Sequence, residues 1–333
     1  METGKMETIK AAKDIKADTD EPTVPEINGI LFPDKKSAFL RQIKNREVRN
    51  KVYNKAKRNK NKRKKVKRQK REERGEPKGI PHTIESLRIP DETTVNITDD
   101  KKAETEKDLE LDEFSKYFNR DIEPKVLITY ADNPLRKTRI FGNELSRMIP
   151  NSHCLLRNRS GVKKVVKNAI EEGYTDVLIV NEDMRKPNGL LVIHLPEGPT
   201  AHFRLSNVKI TTEMKRSHKS ITTHRPEVIL NNFTTRLGLT VSRMLASLFH
   251  YDPEFKGRRA VTFHNQRDYI FFRHHRYEFK NEKRVALREM GPRFTLKLRS
   301  LQRGTFDTKT GDYEWTSEGR RHEIETSRRK FFL

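Results

Sequence analysis

Two stretches of this chain follow one plan, and that repeat limits the fold more than any other feature. "PKVLITY" (124–130) is answered by "PEVILNN" (226–232). Each is a short apolar strand followed by a segment with apolar residues at helical spacing. Each plan closes on a Gly-Pro and an alternating strand, "GPTAHFRLS" (198–206) and "GPRFTLKLRS" (291–300). Ala201, Phe203 and Leu205 fall on Phe294, Leu296 and Leu298, and Arg204 falls on Lys297. The spans from the first proline to the glycine are 74 and 65 residues. The pattern predicts an α/β (α+β) body built as a duplicated pair of halves, about 124–210 and 224–303, each a mixed sheet packed with helices. Two such halves are expected to face each other across a groove.

Between these markers the elements are legible. Ile140, Leu145 and Met148 form one helical face, and "SGVKKVVKNAIEEGY" forms another helix, with Ser160 as N-cap and Gly173 just past its end. Val162, Val165, Val166, Ala169 and Ile170 are its expected buried stripe. Val241, Met244, Leu245, Leu248 and Phe249 form the corresponding face in the second half, which Pro253 ends.

Charge divides the rest of the chain. The net charge is +24, with charged residues at 35% against 33% apolar ones, which is too polar for a chain that is globular throughout. A field of that sign points to a polyanion, nucleic acid before membrane. Residues 1–34 are net −4, 35–74 net +17, 83–123 net −7 and 124–333 net +18. The expected organisation is a tail (1–32), a basic arm (33–75), an acidic linker with a short docking helix (76–121), the body (122–310) and a C-terminal extension (311–333).

The arm has no Pro or Gly from Lys35 to Arg74 and starts after Pro33 and Asp34, so it is expected to become helical on phosphate backbones. Lys62, Arg63, Lys64, Lys65, Lys67 and Arg68 are its candidate RNA contacts, and the same run reads as a nuclear localisation signal. Phe39, Leu40, Ile43 and Tyr53, with Val52, are candidates for docking a protein partner. In the linker, Leu111, Phe114, Tyr117 and Phe118 have helical spacing. No run of transmembrane length and no signal-type segment is visible, and the single Cys154 excludes an internal disulfide or a cysteine zinc cluster. The expected compartment is cytosolic or nuclear.

Enzyme signatures are absent. No Gly-rich phosphate loop follows a strand, and His264 and Asp268 have no nucleophile beside them. "YIFFRHHRYEF" reads as a long strand after a "QRD" turn, so His274 and His275 point to opposite faces and cannot share a metal. No metal and no cofactor is expected. Tyr269, Phe271, Arg273, His275, Tyr277 and Phe279 share one face; Ile270, Phe272, His274 and Arg276 share the other. Most of the aromatics are expected in the core. The candidate RNA-binding groups of the body are Arg258, Arg259, Arg267, Arg273, His275, Arg276, Lys297, Arg299 and Arg303.

The stretch "GRRAVTFHNQRDYIFFRHHRYEF" with "GPRFTLKLRSLQRGTFD" resembles the C-terminal signature of Brix-domain ribosome assembly proteins. "TDVLIVNEDMRKPNGLLVIHLPEGPTAHFRLSNV" and "PEVILNNFTTRLG" resemble further blocks of that family, and the likeness extends through "PHTIESLRIPDETTV" and "ETSRRKFFL". One small departure is Met290, where many members carry Leu. The resemblance implies two halves similar to anticodon-binding domains of aminoacyl-tRNA synthetases, and no catalytic activity. It implies a nucleolar factor of early large-subunit maturation that binds precursor ribosomal RNA within assembly intermediates. It also implies a dedicated small nucleolar partner protein.

Overall fold

The computed structural model describes residues 26–27, 30–31, 43–75, 81–95, 99–214, 221–282, 284–317 and 329–333. Pro33, Asp34, Phe39 and Leu40 lie outside the described residues. The chain divides into two compact units, Met1–Pro81 and His82–Leu333.

The first unit holds a short antiparallel ladder, β1 (Glu26–Ile27) with β2 (Ile30–Leu31), and the helix α1 (Arg46–Glu73). The helix starts where Asn45 can cap it: its side chain accepts from the backbone N–H of Glu47 at 2.9 Å and of Val48 at 3.4 Å. Glu47 in the first turn and Lys70 and Arg71 in the last complement the helix dipole. At 28 residues α1 is about 42 Å long, and none of its residues is buried. Ile43 and Tyr53 are half-buried there.

The second unit is one mixed sheet with helices. The first half runs β3 (Val126–Tyr130), α4 (Arg136–Met148), β4 (Ser152–Cys154), α5 (Val162–Glu171), β5 (Asp176–Asp183), β6 (Lys186–His194) and β7 (Thr200–Lys209). The second runs β8 (Glu227–Asn231), α6 (Arg236–Ser247), β9 (Arg259–Gln266), β10 (Tyr269–Asn281), β11 (Arg284–Glu289) and β12 (Arg293–Gln302). The strand order is β4-β3-β5-β6-β7-β12-β10-β9-β8, with β11 on β10 and β13 (Tyr313–Thr316) on β12. In each half the first strand runs parallel to its neighbour (β3 with β5, β8 with β9), and antiparallel strands follow. The duplication is therefore present in the ladder itself. Gly198 and Gly291, the glycines of the matched Gly-Pro pairs, both have positive φ, +105° and +83°.

The halves do not face each other across a groove. They join edge to edge, β7 antiparallel to β12, so that one sheet runs through both. Arg204 pairs with Lys297, its own counterpart in the repeat, while Phe203 pairs with Leu298 and Leu205 with Leu296. The approximate two-fold axis of the repeat thus passes through the Arg204–Lys297 pair.

One face of the sheet carries the main core, under α4 and α6. Phe294, Phe272 and Phe263 lie in register across β12, β10 and β9. The Phe272 and Phe294 rings stack at 4.2 Å, and Phe141 of α4 meets Phe294 edge-on at 5.5 Å, which ties the first half's helix to the second half's strands. Against β3, Gly142 of α4 lies so close that an added Cβ would run into the Tyr130 ring. Among the described residues, a helix covers the other face only in the first half, where α5 buries Val166 and Ala169 against Leu127, Val177, Ile179 and Ile193. Gly161 rather than Ser160 caps α5, and Ile170 is 41% exposed at the edge of the stripe.

The acidic segment is packed into the body. It contains α2 (Asp99–Glu110) and α3 (Ser115–Phe118). Phe114 and Tyr117 are buried, and the Tyr117 hydroxyl donates to the carbonyls of Phe249 at 2.7 Å and Ala246 at 3.1 Å. Leu111 stays 87% exposed, because the helix is a single turn and does not carry it inward. The acids meet body arginines: Asp112 takes Arg243 in two bonds, Glu104 and Asp108 flank Arg236, and Glu85 pairs with Arg267. At the C-terminus, Leu333 is buried in the main core, and the Asp268 carboxylate accepts from the backbone N–H of Phe332 and Leu333.

Candidate nucleic-acid interface

Among the described residues, the sheet face that α5 covers in the first half has no helix in the second. Between β8 and β9 the chain supplies α6, which packs on the opposite face, and a short 3-10 turn (Phe255–Gly257). The open face is therefore made of the strands' own outward side chains. In register across the seam lie Gly189, Arg204, Lys297 and then β10, whose Tyr269 ring sits 4.8 Å from the Lys297 ammonium. The next row holds Ser206, Thr295, Phe271 and His264. Gly189 presents no side chain beside Arg204, which is exposed.

Positive charge collects on this face. Arg204, Lys209, Arg273, Arg293, Lys297 and Arg299 belong to it by alternation and pairing. Carboxylates balance part of it: Glu289 accepts from Arg293 Nε at 2.7 Å and lies 3.8 Å from Arg273, and Glu227, level with Ala260 and His275, accepts from the Tyr277 hydroxyl at 2.5 Å. The arginines hold Glu289 below the usual carboxylate range. Burial, and next the Arg293 charge, lower Arg273. Burial, and next the Arg299 charge, lower His202, so that imidazole is neutral at pH 7. His275 is lowered chiefly by burial. Cations pressing on one another in this way form a surface that gains from an added anion.

The site residues expected from sequence divide among several places. Arg273, His275, Lys297 and Arg299 lie together on the open face, half-buried. Arg259 is the clear correction. It alternates with Val261 and Phe263 on the core face of β9 and is only 2% exposed. Its guanidinium donates to the carbonyls of Thr222 (2.5 Å), His224 (2.6 Å) and Met148 (3.3 Å), and its Nε to His274 Nε2 at 3.2 Å. Burial pushes its pKa down to about 10, so it stays charged at neutral pH. It ties segments of both halves together and reaches no solvent.

Arg276 pairs opposite Arg259 and Arg288, away from the open face. Arg258 is exposed at φ +50° beside Tyr277, whose N–H donates to its carbonyl. Arg267 is in the tight β9–β10 turn and is held by Glu85 at 3.2 Å. Arg303 is exposed just past β12. Lys62, Arg63, Lys64, Lys65, Lys67 and Arg68 are exposed on α1, which belongs to the other unit.

The aromatics need a second correction. Only the Ile270–Phe272–His274 side of β10 is core, all three fully buried. Tyr269 is 37% exposed and Phe279 67%, because no described helix covers their side. Beyond the sheet, β10 and β11 continue as a two-stranded ribbon with Phe279 opposite Val285 and Tyr277 opposite Leu287. Sequence reasoning passed over Arg204, although the repeat had already matched it to Lys297. It also left out His202 and Lys209.

His274 donates from Nδ1 to the Gly291 carbonyl (2.8 Å) while Nε2 accepts from Arg259. Burial pushes its pKa down to about 4. It is a neutral structural histidine, and among the described residues no three His, Cys, Asp or Glu side chains cluster to hold a metal. No described helix is long and apolar enough to cross a membrane. A cleft of about 250 Å³ is lined by Asp112, Glu113, Lys116, Asp176 and Glu197, with His194 bonded to Asp176 at 2.7 Å. Its acidic lining repels a polyanion, which leaves the open face as the interface candidate.

Residues 133–300 match the family described as Brix domain. "Probable ribosome production factor 1" of Drosophila melanogaster is 69% identical over 265 residues, spanning 79% of this chain and 67% of that one. "Ribosome production factor 1" of Xenopus laevis is 55% identical over 261 residues, 78% of this chain and 75% of that one. A crystal structure of a probable ribosomal biogenesis protein from Aeropyrum pernix K1 aligns with a TM-score of 0.40 at 15% identity, covering 52% of this chain and 96% of that one. With the relatives matched over most of their length, the chain belongs to the Brix-domain family.

Proposed function

We propose that this chain is a non-enzymatic RNA-binding assembly factor that acts on precursor ribosomal RNA during early large-subunit maturation in the nucleolus. Its family and its likeness to ribosome production factors make it a ribosome-biogenesis factor. The RNA, the subunit and the compartment are the finer part of the reading. The observation that carries the RNA part is the sheet face free of described helices, where Arg204, Lys297, Arg299 and Arg273 outnumber the carboxylates Glu289 and Glu227. The basic arm supports it, since α1 presents charge on all sides and buries nothing. The large subunit and nucleolus rest on the resemblance of the sequence blocks.

Phosphate binding releases counterions, so affinity falls with salt, and the slope of that fall shrinks by about one for each phosphate-binding cation removed. A full-length chain carrying Arg204→Gln, Lys297→Gln and Arg299→Gln should bind precursor RNA more weakly, with a shallower slope. A variant lacking residues 44–75 should keep a salt-sensitive remainder. If the arm-less variant binds no RNA, the body is not a reader of RNA.

A second reading is a scaffold whose body holds a small nucleolar protein while only the arm touches RNA. The exposed apolar side of the ribbon favours it, with Phe279 67%, Leu287 64% and Val285 44% exposed. Phe279→Ser with Leu287→Ser should then release the partner from assembly intermediates without changing RNA affinity.

A further inference from the structure

We propose that the open face along β10 is a platform for unpaired RNA, on which bases lie singly against the rings of Tyr269 and Phe271. This rests on the RNA reading above and narrows it to single strands. All six side chains on this side of β10 are planar: Tyr269, Phe271, Arg273, His275, Tyr277 and Phe279. Every base has a π-face, so such a row accepts bases without choosing among them.

Spacing decides between unpaired and paired RNA. Successive side chains on one strand face are roughly 6.8 Å apart, two residues at about 3.4 Å each. The planes of stacked neighbouring bases in a helical strand lie only about 3.4 Å apart. Adjacent bases of a duplex cannot reach adjacent rings of the row, whereas splayed bases can. A cation stands over one face of each ring, which leaves the opposite face for a base. The Lys297 ammonium is 4.8 Å from the Tyr269 centroid, and the Arg273 guanidinium is 6.0 Å from the Phe271 centroid. Arg204 continues the charge across the seam beside Lys297. The neighbouring residue on that row is Gly189, over which the side chains of Asn181 and His202 close in.

The rings are open enough to be used. Tyr269 is 37% exposed and Phe271 half-buried, while the rings of the same strand that hold the core, such as Phe272, are fully buried. Leucine at 269 and 271 keeps apolar cover over the sheet and changes no charge.

The test uses the full chain with two probes, a short oligouridylate carrying one 4-thiouridine and a blunt RNA duplex of matched length. Tyr269→Leu/Phe271→Leu should weaken the oligouridylate about tenfold or more at every salt concentration with the salt slope kept, and the duplex by less than about twofold. Irradiated wild type should crosslink thiouridine to the peptide bearing Tyr269 and Phe271. Equal loss for both probes, or no loss for either with crosslinks elsewhere, overturns the platform while leaving RNA binding in place. Failure of the wild type to bind either probe overturns the RNA reading itself. Should the double variant lose its urea transition, the crosslink map and Tyr269→Leu alone decide the matter.

Discussion

Arg259 is the residue whose structural placement departs furthest from its residue type, and replacing it separates a core role from a surface one. Arg259→Met keeps the apolar stem and removes the cation. Three carbonyls, of Thr222, His224 and Met148, then lose their donor in a site only 2% exposed, and His274 Nε2 loses another. Each buried acceptor left without a partner costs about 1–3 kcal/mol, with the long Met148 bond at the low end. Not having to bury a cation, the penalty visible in the depressed guanidinium pKa, offsets part of this. The net is a loss on the order of 3 kcal/mol against a domain stability of about 5–15. With a urea slope of about 1–3 kcal/mol/M, the denaturation midpoint should fall by roughly 1–3 M. RNA affinity of the folded variant, measured well below that midpoint, should match wild type. A variant with an unchanged midpoint and weakened RNA binding would refute the reasoning, because the guanidinium would then be turned to solvent.

His274 should make the body acid-sensitive. Its folded pKa is about 4 against 6.5 for a free imidazole, so the unfolded chain binds the extra proton between those values and stability falls as pH drops from 6.5 to 4. The difference of 2.5 units corresponds to about 3 kcal/mol, and His274→Gln should flatten the acid limb of urea midpoints against pH by up to that amount. Phe294→Ala removes the ring that stacks on Phe272 and meets Phe141, and should cost about 3–5 kcal/mol in the same assay. Arg267→Gln breaks only the exposed pair with Glu85 and should shift stability by less than about 1 kcal/mol.

Much of the architecture was written locally. The strands, the helix faces and the two Gly-Pro markers follow from short-range pattern, and the Gly-Pro match revealed the duplication. What the pattern could not express was how the copies meet, because the β7–β12 ladder joins residues some ninety positions apart, such as Arg204 with Lys297. A groove and an edge-to-edge seam bury the same alternating residues.

At the site the signals were present but weighed by residue type. Arg259 stands two positions before Val261 and four before Phe263, so alternation alone put it on the core face. The open face was legible as a missing piece: the second copy has no segment corresponding to "SGVKKVVKNAIEEGY". Without that helix, no described helix packs on one side of β10, which leaves Tyr269 and Phe279 exposed and Phe271 and Tyr277 half-buried.

The Arg204–Lys297 pair on the axis of the repeat has a consequence for cohesion. Like charges directly opposite each other weaken a strand pair, and here they sit on the one ladder that joins the copies. The free chain therefore carries a repulsive joint at its centre. A polyanion lying along that joint turns repulsion into a clamp. Ligand binding and the grip of one half on the other become a single linked equilibrium, in which each strengthens the other by the same factor.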